Sequence, residues 1–417
     1  MKNSIRKNQI ILIIDAIGWQ LGQSFLSSQT IIPMFIARLS QSNFLIGLVA
    51  GTQSAGQLVP QLLAANWVER LSRKKYYVVI LALLFERLPF LVMGLSILCT
   101  SDAGVLLTVF FACWFAANLG TGFNLPAFLG LFAKVMPENR RGRVSGIGNF
   151  AGTFLAVGGA FLARIILMNS RGLSGYAWVF LIGLVILVIS VIPLGLIDEQ
   201  RESPSEQKRT LGRYFGEIPG ILKREQEFVN YILLQIALQL ALSGTAFITA
   251  YAVLNLGATE GTVALFSAVL MGFTALGSLL FGILGDHRGY RIVFILGTAA
   301  AVVLYTVMAI SPPLYIVFIV FALSGLFMGS FWVGGNMAME YCPPHRAATY
   351  TAIAFTATAP FRIASPLLAG VLADAIGIPF VFGIIALASF LALYLVSFRV
   401  KDPRFLGGMR KSQYPAS

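Results

Sequence analysis

Charge is scarce in this sequence. Only 11% of its 417 residues are Asp, Glu, Lys or Arg, while 57% are hydrophobic. Soluble domains carry roughly 25% charged residues. A water-soluble fold cannot bury this much apolar surface, whereas a bilayer accepts it. Histidine is nearly absent: His287 and His345 are the only two, which excludes most His-based metal sites. The three cysteines, Cys99, Cys113 and Cys342, lie in or beside apolar runs and form no C-x-x-C pair, so neither a disulfide framework nor a thiolate metal site is expected. No Walker motif, catalytic His or Cys nucleophile appears, so the chain does not read as an enzyme, needs no cofactor, and ATP drive would require a partner subunit. Acids are scarcer than bases, 17 against 30, for a net charge of +13. That excess is spread thinly between apolar runs. It forms no basic patch interleaved with aromatics, so nucleic acid is not an expected partner.

What the chain has in abundance is long apolar runs. At roughly 20 residues per crossing there is room for about twelve. The expected spans are 9–37, 44–65, 76–99, 104–135, 144–169, 175–197, 227–254, 258–284, 290–310, 314–341, 349–374 and 378–398. Lys2, Arg6 and Lys7 precede the first run, but that run continues past Pro33 and shows no small-residue cleavage pattern, so it reads as a retained helix. Most Lys and Arg fall in the N-terminal tail, alternate loops, the central segment or the C-terminal tail. Arg38 and Arg171 are exceptions. By the positive-inside rule both termini are expected in the cytoplasm, in a multi-pass protein of the inner or plasma membrane. Residues 198–226 are the one long polar segment. They read as a linker, or as a short helix lying on the inner leaflet.

One polar stretch organises the rest: Gly282-Ile-Leu-Gly-Asp286-His287-Arg288-Gly289-Tyr290-Arg291, a short turn wedged between two apolar runs. Gly289 offers a position of positive φ. Asp286 and Arg291 flank it, placed to pair across the turn or to cap neighbouring helix ends. The first half holds a blurred copy around Glu69-Arg70-Leu-Ser72-Arg73-Lys74. A second repeated motif follows spans 4 and 10: Pro137 and Arg140 match Pro343 and Arg346 at one common offset, and Lys134 then faces Glu340. Two copies of each motif imply a duplicated membrane protein.

The Gly-x-Leu-x-Asp-x-x-Gly-x-Arg turn resembles the cytoplasmic signature of the major facilitator superfamily. In that family it lies between helices 2 and 3, with a weaker echo between 8 and 9. Here the clean copy is in the second half, and Ala65 and Ser72 stand in the first copy where the family favours Gly. The resemblance implies an all-α membrane protein of 12 transmembrane helices in two pseudo-symmetric six-helix bundles. Residues 1–198 would form the first half, 199–226 a cytoplasmic linker, 227–398 the second half and 399–417 a cytoplasmic tail. It also implies a cytoplasmic gate built from Glu69, Arg70, Arg73, Lys74, Arg140, Asp286, Gly289, Arg291, Glu340 and Arg346, in which Asp286, Glu340 and Arg346 act as a latch. The bland alternative is a static helix-end salt bridge.

A charge at the bilayer centre costs at least roughly 2.5–3.5 kcal/mol. Asp15, Glu86, Arg87 and Arg362 therefore each need an account. Glu86 and Arg87 adjoin in sequence, but neighbouring side chains on a helix point about 100° apart, so each is expected to seek a partner on another helix. The four are either buried structural pairs or a device in which Asp15 or Glu86 takes up and releases a proton. Burial favours a neutral carboxyl and a nearby arginine a charged one. Neutral polar residues form stripes at helical spacing: Asp15, Trp19, Gln23 and Ser27; Gln53, Gln57 and Gln61; Gln235, Gln239 and Ser243. They either line a water-filled cavity or glue helix to helix. Asn124 in span 4 and Trp332 and Asn336 in span 10 lie among glycines at matching places and complete the candidate substrate residues.

The expected function is secondary active transport of a small organic molecule by alternating access around a midplane site, coupled to protons or another ion, by a monomer embedded in the bilayer. The cavity candidates suit a neutral, zwitterionic or amphipathic cargo. Span 5 has the glycines of the superfamily's antiporter signature, Gly146 to Gly159, but no proline, which counts against efflux. Within transport, efflux of amphipathic, drug-like compounds is nonetheless the slightly favoured reading, and sugar or metabolite uptake by symport is the alternative. A receptor or assembly protein that kept the fold without transport is the reading outside it.

Overall fold

A computed structural model describes residues 2–68, 71–199, 220, 223, 225–335, 337–341 and 347–402. All regular structure among them is helical. The first half contains α1 (Lys2–Phe25), α2 (Ile31–Leu39), α3 (Asn43–Val68), α4 (Lys75–Leu81), a π-helical turn (Ala82–Arg87), α5 (Leu88–Cys99), α6 (Ala103–Val135), α7 (Glu138–Asn169) and α8 (Ser174–Val191). The second contains α9 (Gln226–Ser243), α10 (Thr245–Asn255), α11 (Glu260–Arg288), α12 (Tyr290–Ala309), α13 (Leu314–Gly334), α14 (Met337–Glu340), α15 (Ala347–Ile376) and α16 (Ile378–Tyr394). Ten of the described helical segments are long and apolar enough to cross a membrane. α1 and α3, which carry two of the polar stripes, fall outside that set.

The helices form for the expected reasons. Apolar side chains without long breaks propagate them, and Asp102 caps α6 by accepting from the Val105 amide at 2.8 Å. The surface is that of a protein meant for lipid. Phe154, Phe380, Leu387 and Phe398 are each at least 70% exposed, which water would penalise and acyl chains do not.

Several of the expected spans are interrupted or change pitch, among them the first, the seventh and the third. The first breaks at residues 26–30, where Ser27 and Thr30 hydrogen-bond to each other and replace helical partners. The seventh breaks at Gly244, whose missing side chain admits the Tyr305 ring. The third changes pitch through the π-turn at 82–87. The polar turn at 282–291 is also tighter than expected: α11 runs to Arg288, and Gly289 alone, at φ +83°, separates it from α12.

The chain divides into two compact units. One comprises Met1–Lys208 with Thr249–Met271, the other Arg209–Ile248 with Gly272–Ser417. In the first, α1 packs on α7 and α8, α3 on α6, and α5 on α8. In the second, α9 packs on α15 and α16, and α12 on α16. The same pairings recur: the helix that opens each half against that half's fifth and sixth spans, and third span against sixth. The central segment, read as a linker or a short inner-leaflet helix, lies almost wholly outside the described residues.

Candidate functional site: a buried charge cluster and its supports

The π-turn aims two adjacent charges at each other. An α-helix would spread Glu86 and Arg87 apart, but the wider turn at 82–87 lets the Arg87 guanidinium (Nη1) donate to Glu86 Oε2. The sequence points each toward a partner on another helix; the structure adds the pair between them. Both side chains are almost fully buried, 7% and 3% exposed. Each also reaches a neighbouring helix. Asn124 Nδ2 on α6 donates to Glu86 Oε1 at 2.7 Å, and Arg87 Nε donates to the Leu187 carbonyl of α8 at 3.4 Å. The guanidinium carbon sits 5.6 Å from the Trp19 ring of α1, a cation–π contact. Glycines permit this crowding. A Cβ on Gly120 would fall 2.7 Å from Phe85 of the π-turn, and one on Gly22 would fall 2.5 Å from Leu187.

Asp15, one turn before Trp19 on α1, is buried beside the same pair, close enough to feel both charges. The group therefore holds two carboxylates and one guanidinium away from water. With all three ionised it carries net negative charge in a medium that tolerates none. Both oxygens of Glu86 have donors, one from Arg87 and one from Asn124.

The polar stripes serve as helix glue in at least one place. Gln57 Nε2 donates to Asn118 Oδ1 at 3.0 Å, and Asn118 Nδ2 to the Trp114 carbonyl at 2.8 Å. α3 and α6 touch there backbone to backbone: a Cβ on Gly122 would stand 2.6 Å from the carbonyls of Gly56 and Gln57. Gln23 and Gln53 are partly exposed. In the second unit Gln235 Nε2 donates to Tyr231 Oη at 2.6 Å, and Gln239 is buried. Asn124 Oδ1 and Gln235 Oε1 are buried acceptors with no hydrogen-bond partner among the described residues. Trp332 is 64% exposed on α13.

Arg362 lies at the middle of α15, between Pro360 and Pro366. It is partly buried and makes no hydrogen bond or ion pair with any described residue.

At the ends of the helices the structure supplies two functional residues that the sequence places in the linker and the tail. Glu199, its side chain fully buried, accepts from the main-chain amides of Lys74 and Lys75 at 2.8 and 3.0 Å, and from Lys134 Nζ at 3.2 Å. It thus satisfies the free N–H groups where α4 begins. Asp402 does the equivalent in the second half, accepting from the Arg291 amide at 3.2 Å where α12 begins. The Arg291 side chain donates to the carbonyls of Val396 and Ser397, closing the end of the last helical segment. The signal is present in the sequence: each half's last span is followed within a few residues by an acid.

Of the other gate candidates, Arg73 and Glu340 are partly buried and Arg140 is exposed. Asp286 is described only through the helix that carries it. Glu69, Arg70, Asn336 and Arg346 lie outside the described residues. At the other end of the first unit, Arg38 pairs with Glu260 at 2.6 Å, Thr30 Oγ1 and Ser267 Oγ are 2.5 Å apart, and Thr249 Oγ1 donates to the Gln29 carbonyl at 2.7 Å. No group of three or more His, Cys, Asp and Glu among the described residues is placed to hold a metal.

The profile of the Major Facilitator Superfamily matches residues 20–254 and 231–411. A comparison with curated proteins gives no match. Among solved structures, the chain is similar to the xylose transporter XylE from E. coli in a partially occluded inward-open conformation: 13% identity, 96% of this chain and 99% of that one, TM-score 0.70. It is similar to the nucleoside transporter NupG, at 14% identity, 96% and 100% coverage and TM-score 0.66. It is similar also to a POT family transporter in complex with 5-aminolevulinic acid, at 13% identity, 93% and 95% coverage and TM-score 0.68. At such identities these structures share its fold. With the profile spanning nearly the whole sequence, the chain belongs to the Major Facilitator Superfamily.

Proposed function

We propose that the protein is a secondary active transporter that moves a small organic molecule by alternating access, coupled to protons, with both termini in the cytoplasm. The observation that carries the coupling is the cluster of Asp15, Glu86, Arg87 and Asn124. Two buried acids share one base, and Glu86 is fully engaged by Arg87 and Asn124. Asp15 is then the group that binds a proton when the cluster is dry and gives it up when water or cargo reaches it. α1, which carries Asp15 and Trp19, packs on α7 and α8; the charged groups facing Asp15 are Glu86 and Arg87. The cargo-binding candidates are polar residues of the helical stripes: Gln23 on α1, Gln53 on α3 and Gln239 on α9.

The test is transport in proteoliposomes under an imposed pH gradient, first with compounds that stabilise the purified protein against heat. Wild type accumulates cargo against its gradient. Asp15→Asn folds and still exchanges cargo across the membrane in counterflow, but loses pH-driven accumulation. Accumulation that survives Asp15→Asn removes Asp15 from the coupling.

A further inference from the structure

The two deepest arginines of this protein are treated differently. Arg87 is enclosed by Glu86, the Leu187 carbonyl and the Trp19 ring. Arg362 has none of these: no carboxylate, carbonyl or ring among the described residues meets its guanidinium. It lies about 22 Å along α15 from Ala347 and about 21 Å from Ile376, at 1.5 Å per residue. Lipid headgroups begin about 15 Å from the bilayer centre, so a mid-span side chain is beyond their easy reach. The acid nearest to it in sequence is Asp374, about 18 Å further along the same helix. An arginine held at this depth without a partner among the described residues is expensive, and the usual reason for keeping one is a ligand.

The chemistry of the position narrows that ligand. A guanidinium presents N–H donors in a planar fork that matches a carboxylate with two parallel hydrogen bonds. The backbone beside it is unusual too. Pro366 has no N–H to give to the Arg362 carbonyl, and Pro360 has none for the Thr356 carbonyl. One turn of α15 thus sets a cationic fork beside main-chain acceptors freed of their helical donors, a pattern suited to a molecule with an acid at one point and an N–H or ammonium at another.

We propose that Arg362 is the docking point for a carboxylate on the transported molecule, which makes the cargo an organic acid or zwitterion rather than a neutral sugar. This rests on the transport reading above only in calling the bound molecule cargo.

The experiment uses the purified full-length protein and works with the cargo still unidentified. Thermal stability is measured against small organic acids, amino acids and dipeptides at millimolar concentration, each paired with its neutral carboxamide. The expected result is that some acids stabilise the wild type, that their amides do so about tenfold more weakly or not at all, and that Arg362→Gln abolishes the difference while Arg362→Lys keeps part of it. The acid–amide comparison on wild type decides the matter even if Arg362→Gln fails to fold. Equal stabilisation by acid and amide overturns the proposal. So does a panel without effect, or stabilisation that appears only with inorganic phosphate or with anionic lipid in nanodiscs and not with phosphatidylcholine. Flux of the stabilising acids into proteoliposomes is measured separately. Acids that bind through Arg362 but never cross would refute the transport reading and leave the docking site standing.

Discussion

Glu86 and Arg87, consecutive in the chain, form a buried ion pair because the helix between Ala82 and Arg87 is wound as a π-turn. The pair is sealed by Asn124 from α6 and the Leu187 carbonyl from α8. Removing one partner leaves the other charged and dry, which typically costs about 3–5 kcal/mol, whereas removing both is far milder. Glu86→Gln and Arg87→Gln should each lower the melting temperature of the purified protein sharply, and the double variant should recover much of the loss. Additive losses would show that the two side chains are not energetically coupled.

The acidic caps on α4 and α12 yield a graded series. Asp402→Asn weakens one cap and should cost about 1 kcal/mol. Glu199→Ala should cost more, because it also removes the carboxylate that the buried Lys134 ammonium pairs with. Gly289→Ala combines two faults. Its φ of +83° is strained for a residue with a side chain, and the new Cβ would collide with the Asp402 carboxylate. Thermal unfolding should rank Gly289→Ala and Glu199→Ala below Asp402→Asn. A tie would mean the caps carry little.

Thr30 and Ser267 face each other with their oxygens 2.5 Å apart and no exposure to solvent. If transport requires this end of the first unit to open, a disulfide there must stop it. In a background without Cys99, Cys113 and Cys342, the Thr30→Cys/Ser267→Cys variant should transport when reduced, stop when oxidised and resume on reduction. Full activity in the oxidised, cross-linked protein would show that this contact stays closed throughout the cycle.

Asp198 is exposed and accepts a hydrogen bond from Lys7 at 2.8 Å, which holds its carboxyl below the usual carboxylate range. A carboxyl lowered in the folded state stabilises the fold above its unfolded value, about 4, and that contribution is lost as pH falls through the lower folded value. Asp198→Asn should therefore leave stability below about pH 3 unchanged and reduce it slightly above pH 4. The main-chain bonds between Asp198 and Asn8 do not depend on the charge and should keep the terminus docked. A variant whose stability follows the wild type across the whole range would show that the pair contributes nothing measurable.

Much of this protein was legible in its sequence because the bilayer leaves few options. A chain with so few charges and so many apolar residues must form membrane-spanning helices, since only helices or closed barrels satisfy every backbone group in lipid. The duplicated turns at 69–74 and 282–291 and the matched Pro137 and Pro343 then announced two halves of one family. Asp15, Glu86, Arg87 and Arg362 stood out for the same reason: a charge in that medium demands an explanation.

The tertiary structure decided how those charges are used. Which of the four meet depends on helix pitch and on glycine-lined approaches such as Gly120 against Phe85, and neither follows from the spacing of polar residues along one helix. Gln57 became glue because Gly56 and Gly122 let α3 and α6 touch. Glu199 and Asp402 read as solvated chain ends until folding laid each against the amides of a helix start distant in sequence. Solvent fixed what this polypeptide had to be, one helix at a time. Contacts between helices, which no single helix encodes, sealed the Glu86–Arg87 pair with Asn124 and the Leu187 carbonyl and gave Arg362 no such partner among the described residues.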